Sequence, residues 1–386
     1  MEHLINPNVK DIQLSGIRKF FNMVSEYENV ISLTIGQPDF PTPEHVKQAG
    51  IKAIQDNFTN YTHNAGFPEL REAVSQFVKT KYELNYDPAN EIIVTIGASQ
   101  AIDCAFRTIL DQGSEVILPG PVYPGYEPII KLCGATPVHV DTRANDFKLT
   151  ADLIKSHLTT KTRCIVLPYP SNPTGVTLSK EELEEIASLV KDKELFILSD
   201  EIYSELVFAN QHHSIASLPG MREKTIVING LSKSHSMTGW RVGFLMAPAN
   251  IAQHLLKVHQ YNVSCATTIS QKAAHKALTN GIDDAIEMCK QYQERMEYVY
   301  NRLLHMGIET IKPTGAFYFF PSIKKFGLTS FDFALQMVKE ARVAVVPGDA
   351  FSEFGEGYVR LSYAYSMDVL KEALDRMETF ISRLND

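Results

Sequence analysis

Short apolar runs alternate with amphipathic segments along the first two thirds of the chain. The runs are rich in Val and Ile, are bounded by Gly, Pro, Asn or Asp, and span residues 92–96, 115–118, 136–140, 164–167, 195–198, 225–228 and 242–246. Continuous apolar runs of this length are typical of strands that are buried on both faces of a sheet. The amphipathic segments between them, such as residues 179–191 with their acidic first turn, predict helices. The alternation predicts an α/β fold with a mostly parallel, seven-stranded sheet covered by helices.

The pattern changes in the last third of the chain. A long helical stretch covers residues 270–306, and it is followed by a strand-like run at 315–321, an amphipathic helix at 331–341, strand-like runs at 343–346 and 357–362, and a final helix from Met367. This mixture predicts a smaller α+β domain. We therefore expect a large domain at residues 31–280 and a small domain formed by residues 1–30 and 281–386.

Composition and charge narrow the class of protein. The 386 residues are 44% hydrophobic and 21% charged, which is typical of a soluble globular protein with more than one domain. The net charge of -8 argues against a general nucleic-acid binder, because binding to phosphate backbones requires a basic surface. A small anionic ligand is still compatible with this charge, since a few local arginines can bind one.

The cysteines and the apolar residues indicate the compartment. The cysteines are scattered without a CxxC spacing, as expected of free thiols in a reducing compartment (Cys104, Cys133, Cys164, Cys265 and Cys289). No apolar run reaches the length of about 18 residues that spans a membrane, and residues 1–7 lack the pattern of a signal peptide. We therefore expect a cytoplasmic protein that binds neither membranes nor nucleic acids.

A lysine follows the end of one buried strand run. Residues 229–241 read NGLSKSHSMTGWR, so that Lys233 lies among small polar residues, shortly before the sole Trp and an Arg. Burial and neighbouring cations would lower the pKa of a lysine at this place, which gives the neutral amine that a Schiff base needs. The alternative is a surface lysine on a turn, and this segment alone does not decide between the two.

An aspartate ends another buried run. Residues 195–203 read LFILSDEIY, in which Asp200 follows the apolar residues and Tyr203 comes three positions later. An aspartate at the end of a buried strand can hold the protonated nitrogen of a pyridine ring, which is its role in pyridoxal phosphate sites. The alternative is an N-cap on a following helix, a common role for Asp after a strand.

Two further strand ends carry weaker signals. Asn172 precedes Pro173, which favours an extended backbone and an amide that points into a cleft, although the surrounding PSNPTG also fits a plain turn. Residues 95–101 read as a strand, a Gly turn and the start of a helix. The free N–H groups of such a helix terminus form a phosphate site, but many strand-to-helix turns look the same.

Motifs of other chemistries are missing from the sequence. The chain contains no GxxxxGK[ST], GxGxxG, HExxH or GxSxG segment, and the Ser232–Lys233 pair lacks the SxxK spacing of a Ser–Lys dyad. His212 and His213 form an isolated pair, which we expect to be solvated in a loop rather than bound to a metal.

Five segments together resemble the class I and II aminotransferases of pyridoxal-phosphate fold type I. They are YTHNAGFPELREAV, SNPTG, SDEIYSEL, LSKSHSMTGWRVGF and VRLSYA, and they occur in the order and at the spacing of that family across nearly the whole chain. The resemblance implies an enzyme with pyridoxal phosphate (PLP) as cofactor that moves an amino group between an L-amino acid and a 2-oxo acid, with 2-oxoglutarate as the expected acceptor. It also implies a homodimer with shared active sites.

The resemblance implies roles for the residues around the cofactor ring. Lys233 matches the lysine that holds PLP as a Schiff base and moves the substrate proton, and Asp200 matches the partner of the pyridine nitrogen. Asn172 and Tyr203 match the pair that hydrogen-bonds the phenolic oxygen of the ring. Tyr123 resembles the aromatic residue that stacks on the ring.

Other implied roles concern the anionic groups of cofactor and substrate. Arg241 resembles the arginine that binds the phosphate, together with the backbone amides of Ala98 and Ser99. Arg360 matches the arginine that binds the substrate α-carboxylate in a bidentate pair. Gly36 matches the backbone that closes over that carboxylate.

Tyr61 agrees with the pattern of the family, whereas Gly230 departs from it. Tyr61 resembles the residue that reaches the phosphate of the other subunit. Gly230 is a departure, because many relatives have at this position a Ser that contacts phosphate. We expect Ser232 or backbone groups to compensate.

Three functions fit the resemblance: an aminotransferase, a PLP lyase such as a carbon–sulfur β-lyase, and a non-catalytic regulator with the same fold. Retention of the residues around Lys233 argues against the regulator, but the same residues do not separate the first two. The sequence also leaves the amino donor open. Arg18 is either a contact for a distal substrate group or a solvated helix residue.

Overall fold

The structure is a computed structural model that describes residues 1–14, 16–24, 26–208 and 211–385, without the side chains of Arg18, Lys19 and Asn385. Its strands are β1 (Ile31–Ser32), β2 (Ile92–Thr95), β3 (Glu115–Gly120), β4 (Thr136–Asp141), β5 (Thr162–Leu167), β6 (Phe196–Asp200), β7 (Thr225–Gly230), β8 (Gly243–Met246), β9 (Tyr318–Phe319), β10 (Val343–Ala344), β11 (Val346–Pro347) and β12 (Val359–Ser362). Its helices are α1 (Pro7–Lys10), α2 (Gly16–Val24), α3 (Glu44–Gln55), α4 (Pro68–Tyr82), α5 (Gly97–Ile109), α6 (Tyr126–Leu132), α7 (Ala151–His157), α8 (Lys180–Val190), α9 (Ala249–Val263), α10 (Thr268–Asn280), α11 (Ala285–His305), α12 (Ser330–Ala341) and α13 (Met367–Asn385).

A seven-stranded sheet forms the centre of the larger part of the molecule. Its strand order is β2-β8-β7-β6-β5-β3-β4, in which β8 runs antiparallel to both neighbours and the remaining pairs are parallel. Each of the seven apolar runs forms one strand of this sheet. The predicted α/β fold with a mostly parallel sheet is therefore confirmed.

Helices cover both faces of this sheet, which explains its continuous apolar runs. Every residue of β2, β7 and β8 is buried. The helix α8 confirms the prediction for residues 179–191 and begins at a capping box, in which Ser179 Oγ accepts from the Glu182 N–H and the Glu182 carboxylate accepts from the Ser179 N–H. None of the described helices is both long enough and apolar enough to cross a membrane.

The last third of the chain packs around two small sheets. β11, β12 and β9 form an antiparallel sheet in that order, and β1 pairs in parallel with β10. One hydrophobic cluster joins Phe20 and Val24 of α2 to residues of α11, α12, α13 and these strands. The same cluster also contains Leu33, Tyr203 and Leu206 of the expected large domain, so the small domain at residues 1–30 and 281–386 stays a prediction.

The long helical stretch expected over residues 270–306 is divided into two helices. α10 ends at Asn280, and α11 begins only at Ala285. Gly281 lies at the break, where it ends α10 with its N–H bonded to the Ala277 carbonyl. Gly is a poor helix former, and amphipathic residues on both sides hide such a break from a periodicity argument. The run at 343–346 also divides, since β10 and β11 join different sheets.

Candidate active site

The expected site residues meet at one edge of the large sheet. Asp200 ends β6, Lys233 follows β7 and Asn172 follows β5, and the carboxyl ends of parallel strands lie on the same side of a sheet. Arg241 reaches the same edge because it precedes β8, which runs in the opposite direction. A cavity of about 930 Å³ opens there, and its walls include Gly36, Ala98, Ser99, Tyr123, Asn172, Asp200, Tyr203, Lys233, Arg241 and Arg360.

The amine of Lys233 faces this cavity rather than the outer surface. Lys233 is partly buried, and its Nζ donates a hydrogen bond to the Gly36 carbonyl at 2.6 Å. Burial, and then the charges of Arg360 and Arg241, lower the pKa of Lys233 to about 7. The alternative of a surface lysine on a turn is therefore wrong, and a large share of the amine is neutral at slightly alkaline pH.

Asp200 supplies a buried carboxylate to the cavity. Its Oδ2 accepts a hydrogen bond from the Tyr126 hydroxyl at 2.6 Å, and its Oδ1 accepts from the Ile202 N–H at 3.2 Å. Burial raises the pKa of Asp200 to about 6 against the effect of the Tyr126 hydrogen bond. Residues 201–205 form turns and no helix, so the alternative role as a helix N-cap is wrong.

A pair of tyrosines forms another wall of the site. The hydroxyls of Tyr203 and Tyr318 lie 2.7 Å apart, and both side chains are buried. Burial raises the pKa of Tyr203, so that its hydroxyl stays protonated and can donate a hydrogen bond. The Arg360 guanidinium lies over the Tyr318 ring, with its Cζ 4.5 Å from the ring centroid.

The guanidinium of Arg360 is buried, and one of its N–H groups lacks a hydrogen-bond partner among the described residues. Arg360 is 3% exposed, its Nη1 donates to Asn172 Oδ1 at 2.9 Å, and its Nη2 donates to the Thr34 carbonyl. Its Nε is buried and has no hydrogen-bond partner among the described residues. Because these two partners are neutral, the site suits an anionic group that accepts from the free N–H.

A second place for an anion lies at the start of α5. Ile96 precedes this helix without a side-chain cap, so the first N–H groups lack a capping partner, and Ala98 and Ser99 line the cavity. Gly97 has φ of +73°, and a Cβ added there would lie 2.5 Å from Arg241 Nη2. The Arg241 guanidinium therefore packs directly on a turn that only Gly allows, which combines a cation with a helix N-terminus.

The close approach of two strands explains why a residue without a side chain occupies position 230. A Cβ at this position would lie 3.0 Å from the Val242 carbonyl oxygen and 3.1 Å from Gly243 Cα, so β7 and β8 approach closely here. Ser232 and Thr238 both line the cavity, and the Thr238 carbonyl accepts from Arg241 Nη1 at 2.9 Å. Ser232 is therefore placed to compensate for the absent serine, and this compensation stays a prediction.

Tyr61 and His212 do not line the cavity. Tyr61 is 87% exposed and does not line the cavity within one chain. The side chain of Arg18 lies outside the described residues, although Gly16 and Ile17 line the cavity. His212 was expected to be solvated, and this is wrong: its side chain is 7% exposed and lies 3.0 Å from Glu201 Oε2.

Sequence reasoning missed Tyr126 and Tyr318. Tyr126 follows Tyr123 by three positions and begins α6, but nothing local connects it to Asp200. Tyr318 lies within the aromatic run of residues 317–320, which resembles an ordinary apolar strand. Only the fold brings its hydroxyl to Tyr203.

Comparisons with known proteins agree with this arrangement. The chain matches the sequence pattern described as Aminotransferase class I and II over residues 28–377. It is 65% identical over 381 residues to a Bacillus subtilis protein called probable N-acetyl-LL-diaminopimelate aminotransferase, with 99% of this chain and 96% of the relative covered. It is 45% identical to an aspartate aminotransferase of Pyrococcus abyssi, with 97% of this chain and 96% of the relative covered.

Solved structures show the same relationship. The crystal structure of an aromatic aminotransferase from Pyrococcus horikoshii superimposes with a TM-score of 0.90 at 44% identity, and the match covers 94% of this chain and 99% of that one. The chain therefore belongs to the class I and II aminotransferases. It is a PLP-dependent enzyme that transfers an amino group between an L-amino acid and a 2-oxo acid.

The residues of the cavity fit this cofactor. The uncapped start of α5 with Arg241 suits a phosphate, the buried carboxylate of Asp200 suits a protonated ring nitrogen, and the amine of Lys233 suits an aldehyde carbon. The free Nε of Arg360 leaves a further anion site for the carboxylate of a substrate.

Proposed function

We propose that this enzyme moves an amino group between N-acetyl-LL-2,6-diaminopimelate and 2-oxoglutarate in lysine biosynthesis. The observation that carries the proposal is the 65% identity to the Bacillus subtilis protein of that name. The cavity supports it, because its walls extend beyond the cofactor residues to Ile12, Gln13, Leu14, Ile17, Phe21, Glu127 and Lys131. This part of the cavity, between the amino-terminal segment and α6, has space for a long acylated side chain and is lined by both apolar and charged residues.

Lys233 and Asp200 are proposed to do the proton chemistry. PLP supplies an aldehyde that accepts the amino group and a ring that delocalises the electron pair left by the departing α-proton. Lys233 would hold the cofactor covalently and would also take the α-proton and return it, since a pKa of about 7 suits a general base. Asp200 would keep the ring nitrogen protonated through its buried negative charge.

The substrate carboxylate is proposed to bind at Arg360. The planar guanidinium offers its free Nε beside an Nη group, and Asn172 fixes its orientation. The Gly36 backbone would close over the same carboxylate. Asn172 and Tyr203 would also donate hydrogen bonds to the phenolic oxygen of the cofactor, which holds the ring in one orientation.

The phosphate and the ring of the cofactor are proposed to be held by Arg241, the start of α5 and Tyr123. Arg241 and the N–H groups of Ala98 and Ser99 would bind the phosphate through charge and hydrogen bonds. Tyr123 lines the cavity and would stack on the ring. These contacts would keep the cofactor in place while Lys233 serves as the base.

We propose a homodimer in which Tyr61 reaches the phosphate site of the partner subunit. Tyr61 belongs to a group of large exposed apolar side chains that also contains Ile51, Ile54, Phe58 and Tyr261. Hydrogen bonds from Asn64 to the Ser264 carbonyl and from Thr268 to the Asn60 carbonyl hold the two segments of this group together. An exposed apolar surface of this kind supports an interface with a second copy.

We also propose that the enzyme works in the cytoplasm. Its five cysteines are free, and two of them, Cys104 and Cys164, are fully buried. Free thiols are typical of a reducing compartment.

A panel of amino donors with 2-oxoglutarate as acceptor tests the substrate. Acetylated diaminopimelate should exceed aspartate and phenylalanine in kcat/KM by about tenfold or more, which corresponds to about 1.4 kcal/mol of transition-state binding. Omitting 2-oxoglutarate should stop release of the oxo acid after one turnover, as a transaminase requires and a lyase does not. Equal activity with aspartate or phenylalanine would remove the lysine-pathway substrate and leave the aminotransferase class.

A further inference from the structure

The turn that carries Lys233 is anchored by its neighbour His235. Within the turn, the N–H groups of His235 and Met237 donate to the Leu231 carbonyl at 3.1 and 3.3 Å. The His235 ring is 1% exposed, and both ring nitrogens have partners. Nε2 lies 2.7 Å from the Gly281 carbonyl oxygen, and Nδ1 lies 2.8 Å from Ser234 Oγ.

The partners of His235 determine where its proton is. A carbonyl oxygen only accepts hydrogen bonds, so Nε2 must carry the proton and donate to Gly281. In a neutral ring, Nδ1 then accepts from the Ser234 hydroxyl. Burial lowers the pKa of His235, which favours this neutral form. The imidazole is therefore a directional bridge from the residue after Lys233 to Gly281.

Gly281 connects this bridge to the long helix α11. It lies in the break between α10 and α11, three residues before Asp284, the N-cap of α11. A second contact joins the same turn to the same helix, because Ser236 Oγ donates to Met288 Sδ at 3.5 Å. The turn of Lys233 therefore rests on the start of α11 at two points.

The same helix also holds the backbone that faces the Lys233 amine. Arg295 of α11 is paired with Asp39 at 2.8 Å, and Asp39 belongs to the segment of Gly36. The Gly36 carbonyl accepts from Lys233 Nζ at 2.6 Å. Both ends of Lys233 are therefore connected to α11. The backbone is connected through His235 and Gly281, and the amine is connected through the segment of Gly36 and Asp39.

We propose that His235 is a positioning residue for Lys233, which sets the lysine backbone relative to α11 and so aligns the amine with the Gly36 carbonyl and the substrate carbon. The proposal rests on the proposed role of Lys233. His235 touches neither substrate nor cofactor, and it acts through the turn that it fixes. It is the donor function of Nε2, rather than the bulk of the ring, that carries the effect.

A set of four substitutions separates this role from packing. His235→Gln keeps an N–H donor at the reach of Nε2, His235→Asn cannot reach Gly281, and His235→Phe fills the space without a donor. His259→Phe is the matched control, because His259 is another fully buried histidine and its hydrogen-bond partner Gln100 belongs to α5 rather than to the Lys233 turn. Each protein is loaded with PLP and titrated from pH 5 to 9 without substrate, and the absorption band of the bound cofactor is followed.

His235→Phe and His235→Asn should move the midpoint of this titration by about half a pH unit or more and lower kcat about tenfold, with KM for the amino donor within about twofold of wild type. His235→Gln should restore both quantities to within about threefold. His259→Phe should lower thermal stability without moving the midpoint. If His235→Phe does not fold, the comparison of Gln with Asn still decides the question.

Two results would overturn the proposal. One is an unchanged midpoint and kcat in His235→Asn, and the other is a His235→Gln protein as impaired as His235→Phe, which would mean that packing alone matters. Failure of the Lys233 assignment is distinguished by Lys233→Ala. If that variant still forms a borohydride-reducible adduct, the proposed function of Lys233 fails, whatever the His235 variants show.

Discussion

The hydroxyl of Tyr126 donates to Asp200 Oδ2 at 2.6 Å, and both side chains are buried in the wall of the cavity. Tyr126 opens α6 and Asp200 ends β6, so the contact joins two elements that are separated by 74 residues. Among the interactions that lower the pKa of Asp200, this hydrogen bond is the largest, ahead of the Ile202 N–H and the charge of Lys233.

Tyr126→Phe should weaken the enzyme by removing this donor while keeping the ring. A hydrogen bond to a charged group contributes about 1.5–3 kcal/mol, so we expect kcat to fall about tenfold and PLP to bind more weakly. The measurement is a set of PLP titrations and steady-state rates for both proteins. Equal affinity and rate would mean that Asp200 needs no support from Tyr126.

Asp200→Ala should impair turnover far more than folding. The cofactor ring would lose the partner of its nitrogen, and we expect a loss of about 100-fold or more in kcat, equal to about 2.7 kcal/mol. At neutral pH the carboxylate is itself unfavourable in its buried site, because its pKa is raised to about 6. Thermal unfolding and kcat are measured together. A near-normal rate would show that Asp200 only caps the turn at Ile202.

The purified enzyme should be yellow and should lose its absorption band on borohydride reduction, with a mass increase located on Lys233 by peptide mapping. Lys233 is the lysine whose amine lines the cavity centre and whose pKa is lowered to about 7. Lys131 also lines the cavity, so Lys131→Ala serves as the control and should form the adduct normally. Adduct formation at wild-type yield in Lys233→Ala would contradict the assignment.

The buried amine of Lys233 should make the cofactor-free protein less stable at neutral pH than at alkaline pH. Its pKa is about 7 when folded and near the ordinary 10.5 when unfolded, so between these values the unfolded chain binds more protons. This contribution to the free energy of unfolding is most unfavourable below pH 7 and vanishes above pH 10.5. Lys233→Met should therefore stabilise most at pH 7 and least at pH 10 in urea unfolding. A gain independent of pH would contradict the lowered pKa.

Arg360→Lys should raise KM for every amino acid and 2-oxo acid about tenfold or more, with PLP affinity preserved. Lysine presents a point charge, whereas the arginine fork binds a carboxylate with two parallel hydrogen bonds. Arg241→Lys is the matched control, since it should weaken PLP binding instead. Unchanged KM across the panel would remove Arg360 from the substrate site.

The local pattern of the sequence was sufficient to predict the central sheet and to single out candidate site residues at the ends of its strands. Continuous apolar runs predict strands buried on both faces, and all seven runs form strands of one sheet. Polar residues that directly follow such strands, above all Asp200 and Lys233, stand out because burial there is costly. Candidate site residues at a strand end are therefore visible from their neighbours, whereas their chemical roles were implied by the resemblance to a family.

Only the tertiary structure decided the contacts that give these residues their properties. The bond from Arg360 to Asn172 spans 188 residues and that from Lys233 to Gly36 spans 197, distances over which no periodicity carries information. The break at Gly281 and its bond to His235 likewise depend on packing between distant helices and turns. The pKa values follow the same rule. Residue type fixes the ordinary value, whereas burial and charged neighbours, which exist only after folding, lower that of Lys233 and raise that of Asp200.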